Sequence, residues 1–92
     1  MSGNTWTTKD VDARVSKVFS GKRTPRSAAY RAGVRAIFNH YMRQVPTVCQ
    51  WSAGTGEFDA FYAGCAEGYQ AYAAMLVEER TAQERAAREQ AR

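Results

Sequence analysis

The sequence predicts an all-α protein: a small three-helix bundle with a long, charged C-terminal helical extension, all in a single domain over residues 1–92. Three observations lead there. Apolar residues recur at three- and four-residue intervals in three separate stretches, the mark of helices with one buried face. No stretch alternates polar and apolar residues with the period of two that a half-buried strand requires. Gly21, Thr24-Pro25 and the Pro46–Gly56 segment separate the stretches, as helix ends and loops should.

Helix one is expected over 7–20. Thr7 or Thr8 caps it and Asp10 complements the dipole of its first turn, while Val11, Val15, Val18 and Phe19 share one face. Gly21 stops it, because glycine takes the left-handed cap conformation without steric cost. Helix two is expected over 25–44, with Thr24 as N-cap and Pro25 as its first residue. Its stripe is Tyr30, Gly33, Val34, Ile37, Phe38, Tyr41 and Met42, and Pro46 forbids helix beyond Val45. Residues 46–56 read as a loop. Helix three is expected over 57–77, capped by Thr55, with Glu57 and Asp59 in its first turn. Its apolar set is Phe58, Phe61, Tyr62, Cys65, Tyr69, Tyr72 and Leu76. Residues 78–92 form a charged helical tail without large apolar residues, either a solvated extension or a surface for a partner.

A chain of 92 residues buries roughly 60–65% of its unfolded surface and builds one modest core. Nothing approaches the ~18 apolar residues of a membrane span, so no membrane partner is expected. The first residues lack a basic region followed by an apolar run, so the reading is cytoplasmic with reduced cysteines. Charge is unevenly spread. Residues 1–43 hold nine Lys and Arg against two Asp, and residues 44–92 hold four Arg against seven acids. Between Asp12 and Glu57 there is no acid but eight bases. This segregation reads either as a solvated basic face or as a patch for phosphate or an acidic protein surface.

Enzyme signals are weak, and no catalytic residue, metal or cofactor is assigned. His40 is the lone histidine, and it and the two cysteines lack zinc-ligand spacing. Cys65 lies on an apolar stripe as a small hydrophobe. Cys49 is a nucleophile only if His40 approaches it. Gly54-Thr55-Gly56 lacks the spacing and the lysine of a phosphate loop.

Binding signals are better. Lys22, Arg23 and Arg26 gather at a helix start, where free backbone N–H groups also attract anions. Arg31, Arg35 and Arg43 flank an alanine strip, Ala28, Ala32 and Ala36, opposite the buried side of helix two. That strip either admits a polyanion backbone or packs on a neighbouring helix. Trp51, and likewise Trp6, either stacks on a base, anchors a protein interface or covers the end of the core.

Tyr30-Arg31-Ala32-Gly33, Cys49-Gln50-Trp51 and Phe61-Tyr62-Ala63-Gly64-Cys65-Ala66-Glu67-Gly68 form a pattern that resembles the ribosome modulation factor family and its phage-encoded relatives. Glycine inside a helix costs about 1 kcal/mol against alanine, so Gly33, Gly64 and Gly68 call for close helix–helix approach as compensation. The resemblance spans residues 29–72 and departs from the family at Gln50, Trp51 and Cys65, where the family has proline, tyrosine and a second aromatic residue. It implies a helix–turn–helix-type packing unit in a small non-enzymatic bacterial or phage protein that docks on a ribonucleoprotein. The expected target is an RNA-guided (CRISPR) surveillance complex, inhibited by blocking nucleic-acid binding. The alternatives are ribosome binding or a homo-oligomeric module joined through the C-terminal helix. In the first two readings Lys22, Arg23, Arg26, Arg31, Arg35 and Arg43 contact RNA or DNA backbone or acidic side chains, with Trp51 adding shape-specific contact.

Overall fold

The structure, a computed structural model that describes residues 6–21 and 23–91, is all-α: α1 (Thr8–Val18), α2 (Ala28–Arg43) and α3 (Gly56–Gln90). Thr7 caps α1 through a capping box. The Asp10 amide donates to Thr7 Oγ1 at 3.2 Å and the Thr7 amide donates to the Asp10 carboxylate at 2.8 Å. The Thr7 amide, and with it the Thr7 hydroxyl at 2.9 Å, donates to the Asp10 carboxylate and holds its pKa below the ordinary value.

The end of helix one and the bounds of helix two differ from the expectation. Helix one ends at Val18 instead of reaching residue 20, because Phe19 leaves the helix to set its ring against Tyr30, 6.4 Å away. Gly21 does adopt φ +86°, but in the turn that follows. Helix two starts at Ala28 instead of Pro25: Ser27, not Thr24, is its N-cap, with Oγ accepting from the Tyr30 amide at 3.2 Å. Residues 23–27 stay non-helical, because Arg23 reaches back to the Val18 carbonyl and across to α3. At the other end α2 stops at Arg43, and Gln44 takes the left-handed conformation (φ 55°) in a Schellman-type closure onto Asn39 and His40. The expected helical tail is present. It continues helix three without a break, so α3 is one helix of 35 residues capped by Thr55. No glycine or proline follows Gly68, and the alanines, glutamates and arginines there are strong helix formers.

The glycines decide how the helices meet. A Cβ on Gly33 would enter the van der Waals envelope of the Phe61 carbonyl and come 2.8 Å from the Cys65 amide nitrogen. A Cβ on Gly64 would strike the Tyr30 carbonyl, with its carbon 2.9 Å away, and one on Gly68 would lie 3.1 Å from Val34 Cα. α2 and α3 therefore cross backbone on backbone. Tyr30 faces Gly64, Val34 faces Gly68 and Phe38 faces Tyr72, so both chains ascend together and the helices run parallel. This differs from a tight helix–turn–helix, because the connection over 44–55 must return along the pair. Trp51 marks that return, its ring tilted against Phe61 at 6.0 Å. α1 runs the other way: Phe19 meets Tyr30 while Asp12 meets Arg35.

The core is Val11, Val15, Val34, Phe38 and Met42, with Phe61 buried beneath Trp51. Phe38 meets Tyr72 edge-on at 5.8 Å, and Tyr41 stacks on Tyr72 at 5.1 Å. The expected stripe of helix three splits between faces, leaving Tyr62, Tyr69 and Leu76 exposed. The radius of gyration, 15.7 Å, exceeds the roughly 12 Å of a compact chain of this length, because α3 projects beyond the bundle.

Alanine at Gly33 or Gly64 should destabilise the fold by about 2–3 kcal/mol, since a backbone clash outweighs the helix-propensity gain. Gly68→Ala should cost less, and Gly56→Ala, with nothing within 4 Å, should be neutral or slightly stabilising. Urea denaturation of the four variants tests this order.

Candidate nucleic-acid interface

Tertiary packing brings several acids to the bases of the N-terminal half. The Arg23 guanidinium grips Glu67 with both arms, at 2.8 and 3.0 Å, and donates to the Val18 carbonyl at 2.8 Å. Tyr30 adds its hydroxyl to the same carboxylate. Arg14 pairs with Glu79 at 2.9 Å, and Arg35 pairs with Asp12. The long acid-free stretch of sequence is therefore not an acid-free surface.

The seven residues singled out as binding candidates have different fates. Lys22 lies outside the described residues. Arg23 is only partly exposed and is spent on holding the α1–α2 connection to α3, which makes it a structural cation instead of a phosphate contact. Arg35 is exposed but neutralised by Asp12. Arg43 leans on the Asn39 side chain at 3.4 Å. Trp51 is half-buried and covers the end of the core over Phe61, so packing accounts for its place. Arg26 and Arg31 remain exposed and form no ion pair among the described residues, although the Arg26 charge is near enough to help lower the Glu67 pKa. The Arg26 guanidinium lies 4.6 Å from the Tyr30 ring centre, and that of Arg31 lies 5.3 Å from the Phe19 ring centre. Arg23 sits on Phe19 as well, at 4.9 Å. The edge-on Phe19–Tyr30 pair is thus a bracket around which three guanidiniums gather, one of them neutralised. Of the alanine strip, Ala28 is exposed while Ala32 and Ala36 are half-buried.

Glu67, which the sequence reading does not single out, organises this corner. The signal was present: it is the lone acid between Asp59 and Glu78, set between Gly64 and Gly68 on the face that meets α2. Hydrogen bonds from Arg23 and then Tyr30 lower its pKa from 4.5 to about 2. The Tyr30 hydroxyl is pushed up in return, chiefly by its bond to Glu67.

The Cys49–His40 pairing is not assembled. The Cys49 thiol donates to the Trp51 carbonyl at 3.6 Å, and His40 Nδ1 lies 3.2 Å from the Val45 carbonyl. Burial pushes the Cys65 thiol up. A groove of about 550 Å³ runs between α1 and α3 over Val18, Phe38, Ala71 and Met75. Its charged rim is Arg14, Lys17, Glu78 and Glu79, of which Arg14 and Glu79 are paired with each other. Among the described residues no three His, Cys, Asp or Glu side chains converge to hold a metal ion, and no helix is long and apolar enough to cross a membrane. No protein-family model, curated protein or solved structure matches the chain.

Because the folded-state pKa of Glu67 is depressed, its contribution to stability is present above about pH 4.5 and is lost as pH falls toward 2. Urea midpoints at pH 6 and pH 3 should therefore fall further for the native chain than for Glu67→Gln. Equal losses in the two proteins would remove Glu67 from the acid response.

Proposed function

We propose that this chain is a non-catalytic binding protein of the bacterial cytoplasm that docks on a ribonucleoprotein, its basic contact being the arginine bracket at the α1–α2 corner. The observation that carries the reading is the pair Arg26 and Arg31, exposed, unpaired with carboxylates among the described residues and braced on aromatic rings. A braced guanidinium has less rotamer freedom left to lose and still presents its outer N–H edge to a phosphate. The target we propose is an RNA-guided surveillance complex, whose access to nucleic acid the docked protein would block. The added α1 and the projecting α3 supply surface that the resembling ribosomal factor lacks, and they favour this target. Ribosome binding is the second reading. It is supported by the Gly33–Gly64–Gly68 crossing, which occupies the segment on which the resemblance rests.

Binding to a short RNA duplex, measured across salt concentrations, tests the contact. Arg26→Ala with Arg31→Ala should flatten the slope of log K against log salt by about 1.8, at about 0.9 per phosphate contact. Arg23→Ala should lower stability and leave that slope nearly unchanged. A slope unaffected by the double substitution overturns the bracket as the contact. Affinity capture from lysates with and without RNA-guided effector complexes, before and after nuclease, then separates the two targets.

A further inference from the structure

The solvent side of α3 carries an apolar stripe that the bundle touches through Tyr69, which meets the Tyr41 ring edge-on at 5.4 Å, and otherwise leaves open. Tyr62, Tyr69 and Leu76 are 49%, 57% and 43% exposed and stand seven residues apart, with Val77, 59% exposed, beside Leu76. Exposed Ala66 and Ala73 lie between them on the same sector of the helix. Large and small residues thus alternate along one line. Asp59 stands at one end of the stripe and Arg80 at the other, both exposed and neither in an ion pair among the described residues.

We propose that this stripe is a self-association surface on which α3 of a second copy packs antiparallel, forming a two-fold dimer. The charges select the occupant and its direction. With the axis between Tyr69 and Gln70, Asp59 of each copy falls opposite Arg80 of the other, and the contact occurs twice. The same register sets Ala66 against Ala73, which permits close approach, and Tyr62 against Val77 with Leu76 adjacent. A parallel pair would instead oppose Asp59 to Asp59 and Arg80 to Arg80. The paired segment from Asp59 to Arg80 is about 32 Å long at about 1.5 Å per residue, roughly six turns. The apolar anchors lie upstream of residue 78, so the dimer is held by the middle of α3 and not by its charged end. The arginine bracket is not part of this stripe, so the dimer would present it twice and raise avidity for a repetitive polyanion.

Sedimentation velocity on the full chain up to about 0.2 mM reads the outcome. The native chain should dimerise. Asp59→Arg and Arg80→Glu, each alone, should weaken the dimer about tenfold through two like-charge contacts, and the two together should restore it. Ala73→Glu, at an exposed helical position where circular dichroism checks the fold, should leave a monomer. A native chain that stays monomeric, single variants that dimerise as well as the native chain, or a double variant that fails to recover would each overturn the proposal. The salt slope of RNA binding is measured on the monomeric Ala73→Glu variant as well, so loss of the dimer and loss of the bracket contact are read separately.

Discussion

The crossing of α2 on α3 through Gly33, Gly64 and Gly68 is the constraint from which the other contacts follow. Two helix backbones meet there with no side chain between them, and only glycine allows that distance. The approach fixes which residues can reach across. Tyr30 lies beside Glu67, Phe38 comes edge-on to Tyr72, and Tyr41 closes over Tyr69 and Tyr72. Each glycine forfeits helix propensity. The compensation is the packing of tyrosines and valines flanking the contact, a dispersion gain that close approach makes available on both sides.

Around this crossing the protein arranges charge economically. A guanidinium and a phenol converge on the Glu67 carboxylate, tying the α1–α2 connection to α3 with one side chain. The same aromatic pair that supports this anchor holds Arg26 and Arg31 at the surface. Neighbouring arginines therefore stand differently: Arg23, bonded to the Glu67 carboxylate, shapes the fold, while Arg26 and Arg31, in no ion pair among the described residues, carry the proposed contact. The functional proposal rests on this division and not on the total of basic residues.

Much of the architecture was legible along the chain. Threonines ahead of each helical stretch announced α1 and α3, and Thr7 and Thr55 do cap them. Three glycines on buried helical faces announced a close crossing, which they make. The start of α2 is not legible locally, because Thr24-Pro25 is as good a signal as Ser27 and only the demands on Arg23 choose between them. The candidate site was legible in part. Arg26 and Arg31 keep the exposure expected of them, while Arg23, Arg35 and Trp51 are taken up by partners distant in sequence.

Helix existence, the Thr7 and Thr55 caps, the loop and the need for glycine contact are local properties, set by periodicity and backbone conformation within a few residues, and the sequence alone determined them. Three features belong to the tertiary structure. The parallel course of α2 and α3 depends on the path of residues 44–55, which carries no periodic signal. The apolar residues of α3 divide into a buried and an exposed set, because one narrow neighbouring helix covers only part of the circumference of a long one. The basic half of the chain loses its isolation, because Coulomb pairing follows distance in space, and folding brings Glu67 and Glu79 to arginines more than forty residues away.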